Sequence, residues 1–127
     1  MAHIRHAEAA GRFYPGDPVA CRRALEELLA GIEAEPAIGA IVPHAGWIFS
    51  GRAAAHSWQA IAAYQPEVVV IFGAVHTYAR VLAGISTADA WETPLGPVAV
   101  DHVLAEQLAL SLLMTLDDEP HHGEHAI

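Results

Sequence analysis

Glu67-Val68-Val69-Val70-Ile71-Phe72-Gly73 is the run whose reading decides the fold class. Its β-branched and aromatic residues favour extended backbone, and the absence of alternation leaves no polar face to turn towards water. A strand of that kind is expected to be buried on both faces, as in a parallel sheet covered by helices. Towards the N-terminus, Ala37 to Pro43 repeats the pattern as a shorter apolar run rich in Ile and Val and bounded by Pro36 and Pro43. Between the two runs, Gly51 to Tyr64 reads as an Ala-rich helix. Further upstream, Asp17 and Pro18 form an N-cap and N1 pair, and Cys21, Leu25, Leu28, Leu29 and Ile32 recur at helical spacing, predicting a helix that ends near Gly31 to Glu35. Towards the C-terminus, Val81 to Ile85 and Pro97 to Val100 read as a third and a fourth strand, and Asp101 caps a helix running to about Met114. Strand, helix, strand in this order implies a right-handed crossover. The expected fold class is therefore α/β, with a mostly parallel sheet flanked by helices.

The rest of the composition narrows the function classes. The chain has 127 residues, 54% hydrophobic and 17% charged, so it holds about one domain with enough apolar material for a core. It contains 26 Ala and no Lys, and six Arg face fifteen Asp and Glu for a formal charge of −9. A binder that tracks a nucleic-acid backbone needs a basic face that this chain does not have, so no nucleic-acid partner is expected. The longest apolar stretches fall far short of the roughly 20 residues that span a bilayer, which argues against a membrane partner. No secretory leader fits Met1 to Ala20, and the lone Cys21 has no internal disulfide partner, so a reducing cytoplasm is the expected compartment. No repeat, low-complexity tract or charge block divides the chain, which reads as one continuous unit, 1–127. After the acidic Asp117 to Glu119, the stretch His121-His122-Gly123-Glu124-His125-Ala126-Ile127 begins an element that does not finish. It reads either as a frayed polar tail or as the edge of a longer domain, and the expectation is that the chain is incomplete.

Nine His in so short a chain are the most informative residues. In open α/β sheets, ligands gather outside the carboxyl ends of the strands. His44 directly follows the first expected strand, and His76 follows the second by three residues. Neutral imidazole is a common ligand for Zn, Fe and Cu, so the pair reads as a metal site. A loop His satisfied by a backbone carbonyl is the alternative for either residue taken alone. Gly46 and Gly51 permit tight turns around His44, Ser50 is placed to cap the next helix, and Trp47 and Phe49 either wall a pocket or pack under the loop. Backbone N–H groups of such a loop suit an anionic ligand, which makes Gly46, Trp47 and Ser50 candidate ligand-binding residues. His56 reads as a packed or solvated helical residue, His102 as a solvent-facing residue of a first helical turn, and His3 and His6 as residues of a mobile end. His121, His122 and His125 have spacings that bring ligands together on a helix, although Gly123 weakens a helix there and a surface cluster is the alternative. Cys21, on the apolar face of the first helix, is expected to be buried rather than reactive.

Taken in order, the motifs resemble the Memo family, which includes the AmmeMemoRadiSam system protein B. The matching pieces are Ala10-Gly11-Arg12-Phe13-Tyr14-Pro15, then Pro43-His44-Ala45-Gly46-Trp47-Ile48-Phe49-Ser50-Gly51 with Ala53-Ala54, and Phe72-Gly73-Ala74-Val75-His76. Trp91-Glu92-Thr93-Pro94-Leu95-Gly96 with Val98 and Asp101, and lastly Glu124-His125, complete the series over essentially the whole chain. The family is similar to the class III extradiol dioxygenases, so the resemblance implies a nonhaem metal site at the strand ends with His44 and His76 as metal residues. Ala74 stands where the family has Pro, and Ala126 where it has Ser. Members are about twice as long, which implies that this chain corresponds to the N-terminal half of the family domain and that further ligands lie beyond it.

Two functions follow as expectations. In the first, a transition metal, iron or copper with zinc as the alternative, sits on His44 and His76 and supports oxidoreductase chemistry on a small molecule. His121, Glu124 and His125 are then the candidate proton-moving catalytic residues. The second is a non-enzymatic module that takes a peptide or phosphopeptide in the same crevice. Self-association, or pairing with the missing C-terminal half, is expected because an apolar strand without neighbours exposes backbone and side chains alike.

Overall fold

The computed structural model describes residues 2–127. Its elements are β1 (Ile4–Arg5), α1 (Pro18–Leu29), α2 (Trp47–Tyr64), β2 (Gly84–Ile85), β3 (Ala90–Trp91), β4 (Val98–Ala99), α3 (His102–Leu112), β5 (Thr115–Leu116) and a 3-10 turn at Glu119–His121. The chain is a small α/β fold with three helices and mixed sheets, gathered into two compact units: Ala10–Ile71, and residues 2–9 together with Phe72–Ile127.

The unit Ala10–Ile71 is an α1–α2 pair with its connecting loops. Asp17 caps α1 as expected, its carboxylate accepting from the Ala20 N–H at 2.9 Å, with Pro18 in the first turn. Cys21 is 3% exposed, and burial pushes its thiol up in pKa against a smaller opposing pull from Arg22. At the other end of α1, Arg52 Nη1 donates to the carbonyls of Leu28 and Ala30 at 2.6 and 2.8 Å, supplying the last turn with donors that the helix itself lacks. The two helices approach closely at Gly51. A Cβ there would lie 3.0 Å from Leu28 Cδ1 and 3.2 Å from Trp47 Cβ.

The second unit is built on very short ladders. β1 pairs in parallel with β3, and β3 antiparallel with β4, giving the order β1-β3-β4. β2 pairs in parallel with β5 in a separate two-stranded sheet. α3 begins at its expected cap, with the Asp101 carboxylate accepting from the Leu104 N–H at 2.9 Å, and ends on Leu113 in the left-handed region at φ 54°. Gly84 is the tight point: a Cβ there would meet Pro120 Cγ at 2.7 Å and the Asp117 carbonyl at 2.8 Å. Gly84 thus lets the buried Pro120 seat the 3-10 turn against β2.

Several expectations are corrected. Neither Ala37 to Pro43 nor Glu67 to Gly73 belongs to a strand, so the crossover inferred between them falls with them. A strand is defined by its partner, and apolar composition alone does not supply one. Val68, Val69, Val70 and Ile71 instead lie outside any helix or strand and are between 44% and 48% exposed. α2 starts at Trp47 rather than Gly51. Gly46 takes the N-cap position, and Ser50 lies in the first turn with its hydroxyl donating to the Ala45 carbonyl at 3.0 Å. Val81 to Ile85 shortens to Gly84–Ile85, and Pro97 to Val100 to Val98–Ala99. No described helix is long and apolar enough to cross a membrane.

Candidate metal centre

The carboxylate of Glu124 organises the histidines of the second unit. It is buried, and its two oxygens collect four N–H groups. Oε2 accepts from the His76 backbone N–H at 2.5 Å, and Oε1 from His76 Nδ1 at 2.8 Å, the His125 N–H at 2.7 Å and the Ala126 N–H at 3.0 Å. Burial alone pushes this carboxyl up, but the hydrogen bonds from His76, His125 and Ala126 outweigh it and hold the pKa at about 2.

That ionisation fixes a tautomer. A carboxylate only accepts, so the 2.8 Å contact requires the proton on His76 Nδ1 and leaves the lone pair of the neutral ring on Nε2. His125 Nδ1 lies 3.3 Å from the same Oε1, and the two rings are neighbours, with centroids 4.4 Å apart and planes inclined by 30°. A carboxylate behind an imidazole is the arrangement that orients metal-ligating histidines and raises their basicity.

The loop carrying Glu124 and His125 is pinned from behind. Arg5 Nη2 donates to the carbonyls of Glu124 at 2.8 Å and His121 at 3.1 Å, while its guanidinium lies 4.1 Å above the Trp91 ring. The indole N–H of Trp91 donates to Ser86 Oγ at 3.0 Å, and Ser86 donates to Asp118 Oδ1 at 2.8 Å. Burial pushes Asp118 up, but the hydroxyls of Thr87 and Ser86 and the Thr87 N–H bring its pKa below the ordinary value. His121 meets Trp91 edge-on, with ring centroids 5.4 Å apart, and burial lowers its pKa against the pull of Asp118.

The remaining sequence candidates fall as follows. His44 lies in the exposed loop before α2 of the other unit. Gly46, Trp47 and Ser50 occupy the N-cap and first turn of α2, where the N–H groups of Trp47, Phe49 and Ser50 already donate to the carbonyls of Phe13, Gly46 and Gly46. Trp47 stacks on Tyr14 with centroids 5.3 Å apart, and both line a cavity of about 560 Å³ with Arg12, Phe13, Leu28 and Arg52. Phe49 is 85% exposed. His56 and His122 are exposed, His102 Nε2 lies 3.3 Å from Asp89 Oδ1, and His6 Nδ1 lies 3.0 Å from Glu92 Oε2. Trp91 enters from the sequence only as part of a family motif, and Arg5 and Asp118 carry no signal of a site role, because a single Arg in a two-residue strand has no pattern of its own.

Within this unit, His76 and His125 bring two imidazole rings together beside the Glu124 carboxylate. Imidazole donors suit Fe, Cu and Zn rather than the oxygen-seeking Mg and Ca, and the Nδ1–H of His76 held on Glu124 leaves Nε2 as the ring's other nitrogen.

A sequence model described as Memo-like protein matches residues 5–127. Among curated relatives, a MEMO1 family protein of Methanosarcina barkeri is 37% identical over 126 residues, covering 98% of this chain and 46% of the relative. One from Pyrococcus furiosus is 38% identical over 131 residues, covering 98% and 44%, and one from Aquifex aeolicus is 35% identical over 127 residues, covering 98% and 46%. The chain thus spans less than half the length of the curated relatives it matches.

Proposed function

The chain belongs to the Memo family, and we propose that it supplies histidine ligands of a nonhaem metal site, His44 and His76 by the motifs it shares with that family and His125 as the ring beside His76. The observation that carries the reading is the ionised, buried Glu124 holding the Nδ1–H of His76 beside the His125 ring. Bound iron or copper would supply redox chemistry for a small-molecule substrate, as in the class III extradiol dioxygenases that the family resembles.

The chain's own residues set up that chemistry. Glu124 keeps the His76 ring in one tautomer and one orientation. With a pKa of about 2 it is ionised throughout the neutral range and has no proton to give, so it acts as a positioning residue. His121, half-buried, is the group able to take a proton from a bound substrate. The chain spans less than half of the relatives it matches, and further ligands to a bound ion would have to come from beyond His44, His76 and His125 or from substrate.

The test is metal content after loading with ferrous ion, cuprous ion or zinc and removal of the excess. Wild type should retain a bound ion, and His44→Ala, His76→Ala and His125→Ala should each weaken retention by roughly tenfold or more. Equal retention in all four proteins would reject the site. Oxygen uptake with catechols or thiols then separates an oxidoreductase from a metal-binding protein without turnover.

The 560 Å³ cavity walled by Tyr14 and Trp47, with Arg12 and Arg52 at its margin, favours a second reading as a peptide-binding module. Peptide binding of that kind survives chelation of the metal and is lost in Trp47→Ala.

A further inference from the structure

We propose that Arg5 is a positioning residue for the metal centre, acting through the turn 121–124 to bring the Glu124 carboxylate onto His76. The inference rests on the metal reading for its purpose, although its geometry lies entirely within one unit.

The placement starts with strand register. Arg5 is directly opposite Trp91 in the parallel β1–β3 ladder, so the two side chains stand next to each other on one face of the sheet. The guanidinium therefore stacks on the indole at 4.1 Å, and the indole is itself held by its N–H donating to Ser86 Oγ. A stacked guanidinium has a fixed plane, and its N–H directions are fixed with it. In that orientation Nη2 reaches two carbonyls three residues apart, His121 at 3.1 Å and Glu124 at 2.8 Å.

Holding both carbonyls at one nitrogen closes the turn, whose own backbone bond from the Glu124 N–H to the His121 carbonyl is long at 3.5 Å. Closing the turn fixes the Glu124 Cα and hence the carboxylate that meets the backbone N–H and Nδ1 of His76. Lys cannot replace this arrangement. An ammonium does not stack as a plane, and its flexible stem does not fix donor directions on two carbonyls at once.

The experiment reads the tautomer of His76 in metal-free protein at neutral pH, using ¹⁵N-labelled histidine and nitrogen–proton correlation spectra. In wild type the Nδ1–H form of His76 predominates. In Arg5→Ala, and to a smaller extent in Arg5→Lys, that form should lose its predominance and the His76 signals should broaden or split, while thermal unfolding stays cooperative. Arg23→Lys, on the exposed face of α1, serves as the control and should leave the His76 spectrum unchanged. If Arg5→Ala does not fold, Arg5→Lys decides alone.

The same proteins are then titrated with zinc, and both Arg5 variants should bind it roughly tenfold or more weakly than wild type. Wild-type His76 signals in a folded Arg5→Lys or Arg5→Ala protein would overturn the proposal. A tautomer that depends on Arg5 in a wild-type chain that takes up no metal would support the positioning role and sink the metal reading instead.

Discussion

Around Glu124, four N–H groups converge on one buried carboxylate and Arg5 closes the turn behind it. In the other unit, Val68 to Ile71 present four large apolar side chains, each close to half exposed, on backbone that belongs to no strand. The Glu124 carboxylate of the first region is satisfied from within its own unit. The second gains free energy only when something covers it, since burying a Val or Ile completely contributes about 1.5–3 kcal/mol. A polar network is thus fixed by a few residues in reach of one another, whereas an apolar strand is fixed by neighbours.

The largest effect that bears on this contrast is expected at Glu124. Glu124→Ala strips the acceptor from four N–H groups and should destabilise the unit by about 3–5 kcal/mol, read as a lowered midpoint in urea. A change below about 1 kcal/mol would show that water serves those donors equally well and that the network is not the organising feature.

Acid should dismantle the same region next. The folded pKa of Glu124 lies below the ordinary 4.5, at about 2, so its contribution is fully present above pH 4.5 and is lost as pH falls towards 2. Roughly 3 kcal/mol is at stake across that window. Asp118, also depressed, adds to the loss in the same direction. In Glu124→Gln the fall in stability through this window should be shallower than in wild type, and an unchanged slope would remove Glu124 from the account.

The exposed run makes the opposite kind of prediction, because its perturbation should matter between molecules. Light scattering of the isolated chain should give a mass above the monomer, and Val70→Lys should shift the population towards monomer by about 2 kcal/mol of association free energy. A wild-type chain that stays monomeric at high concentration would show that the run needs no partner.

How much of this was legible in the sequence follows the same division. α1 and α3 were readable because Asp17 and Asp101 announce their starts by local capping chemistry. α2 was misjudged by one turn, since Gly46 rather than Ser50 takes the cap position. Of the strands, β2 and β4 lie within expected runs in shortened form, whereas β1, β3 and β5 gave no signal. The apolar runs that look most like strands lack ladders, while the ladders that do form are two residues long, too short for any periodicity to show. At the site, His76, Glu124 and His125 were marked by residue type and motif, but Arg5, Trp91 and Asp118 gain their importance from register and stacking across large separations in sequence.

The smallest effect expected is a gain. Leu113 ends α3 in the left-handed region with its side chain 93% exposed, so Leu113→Gly relieves backbone strain while giving up little burial. It should stabilise by about 0.5–1 kcal/mol, seen as a rise in Tm. A drop of that size would indicate that the exposed apolar side chain is covered by a partner.

X-ray absorption on the chain loaded with zinc or ferrous ion tests the central claim most directly. The account predicts a first shell containing at least two imidazole nitrogens, with the outer-shell scattering of histidine rings, reduced by one ring in His76→Ala. A shell of oxygen ligands alone, unchanged by His76→Ala, would contradict it.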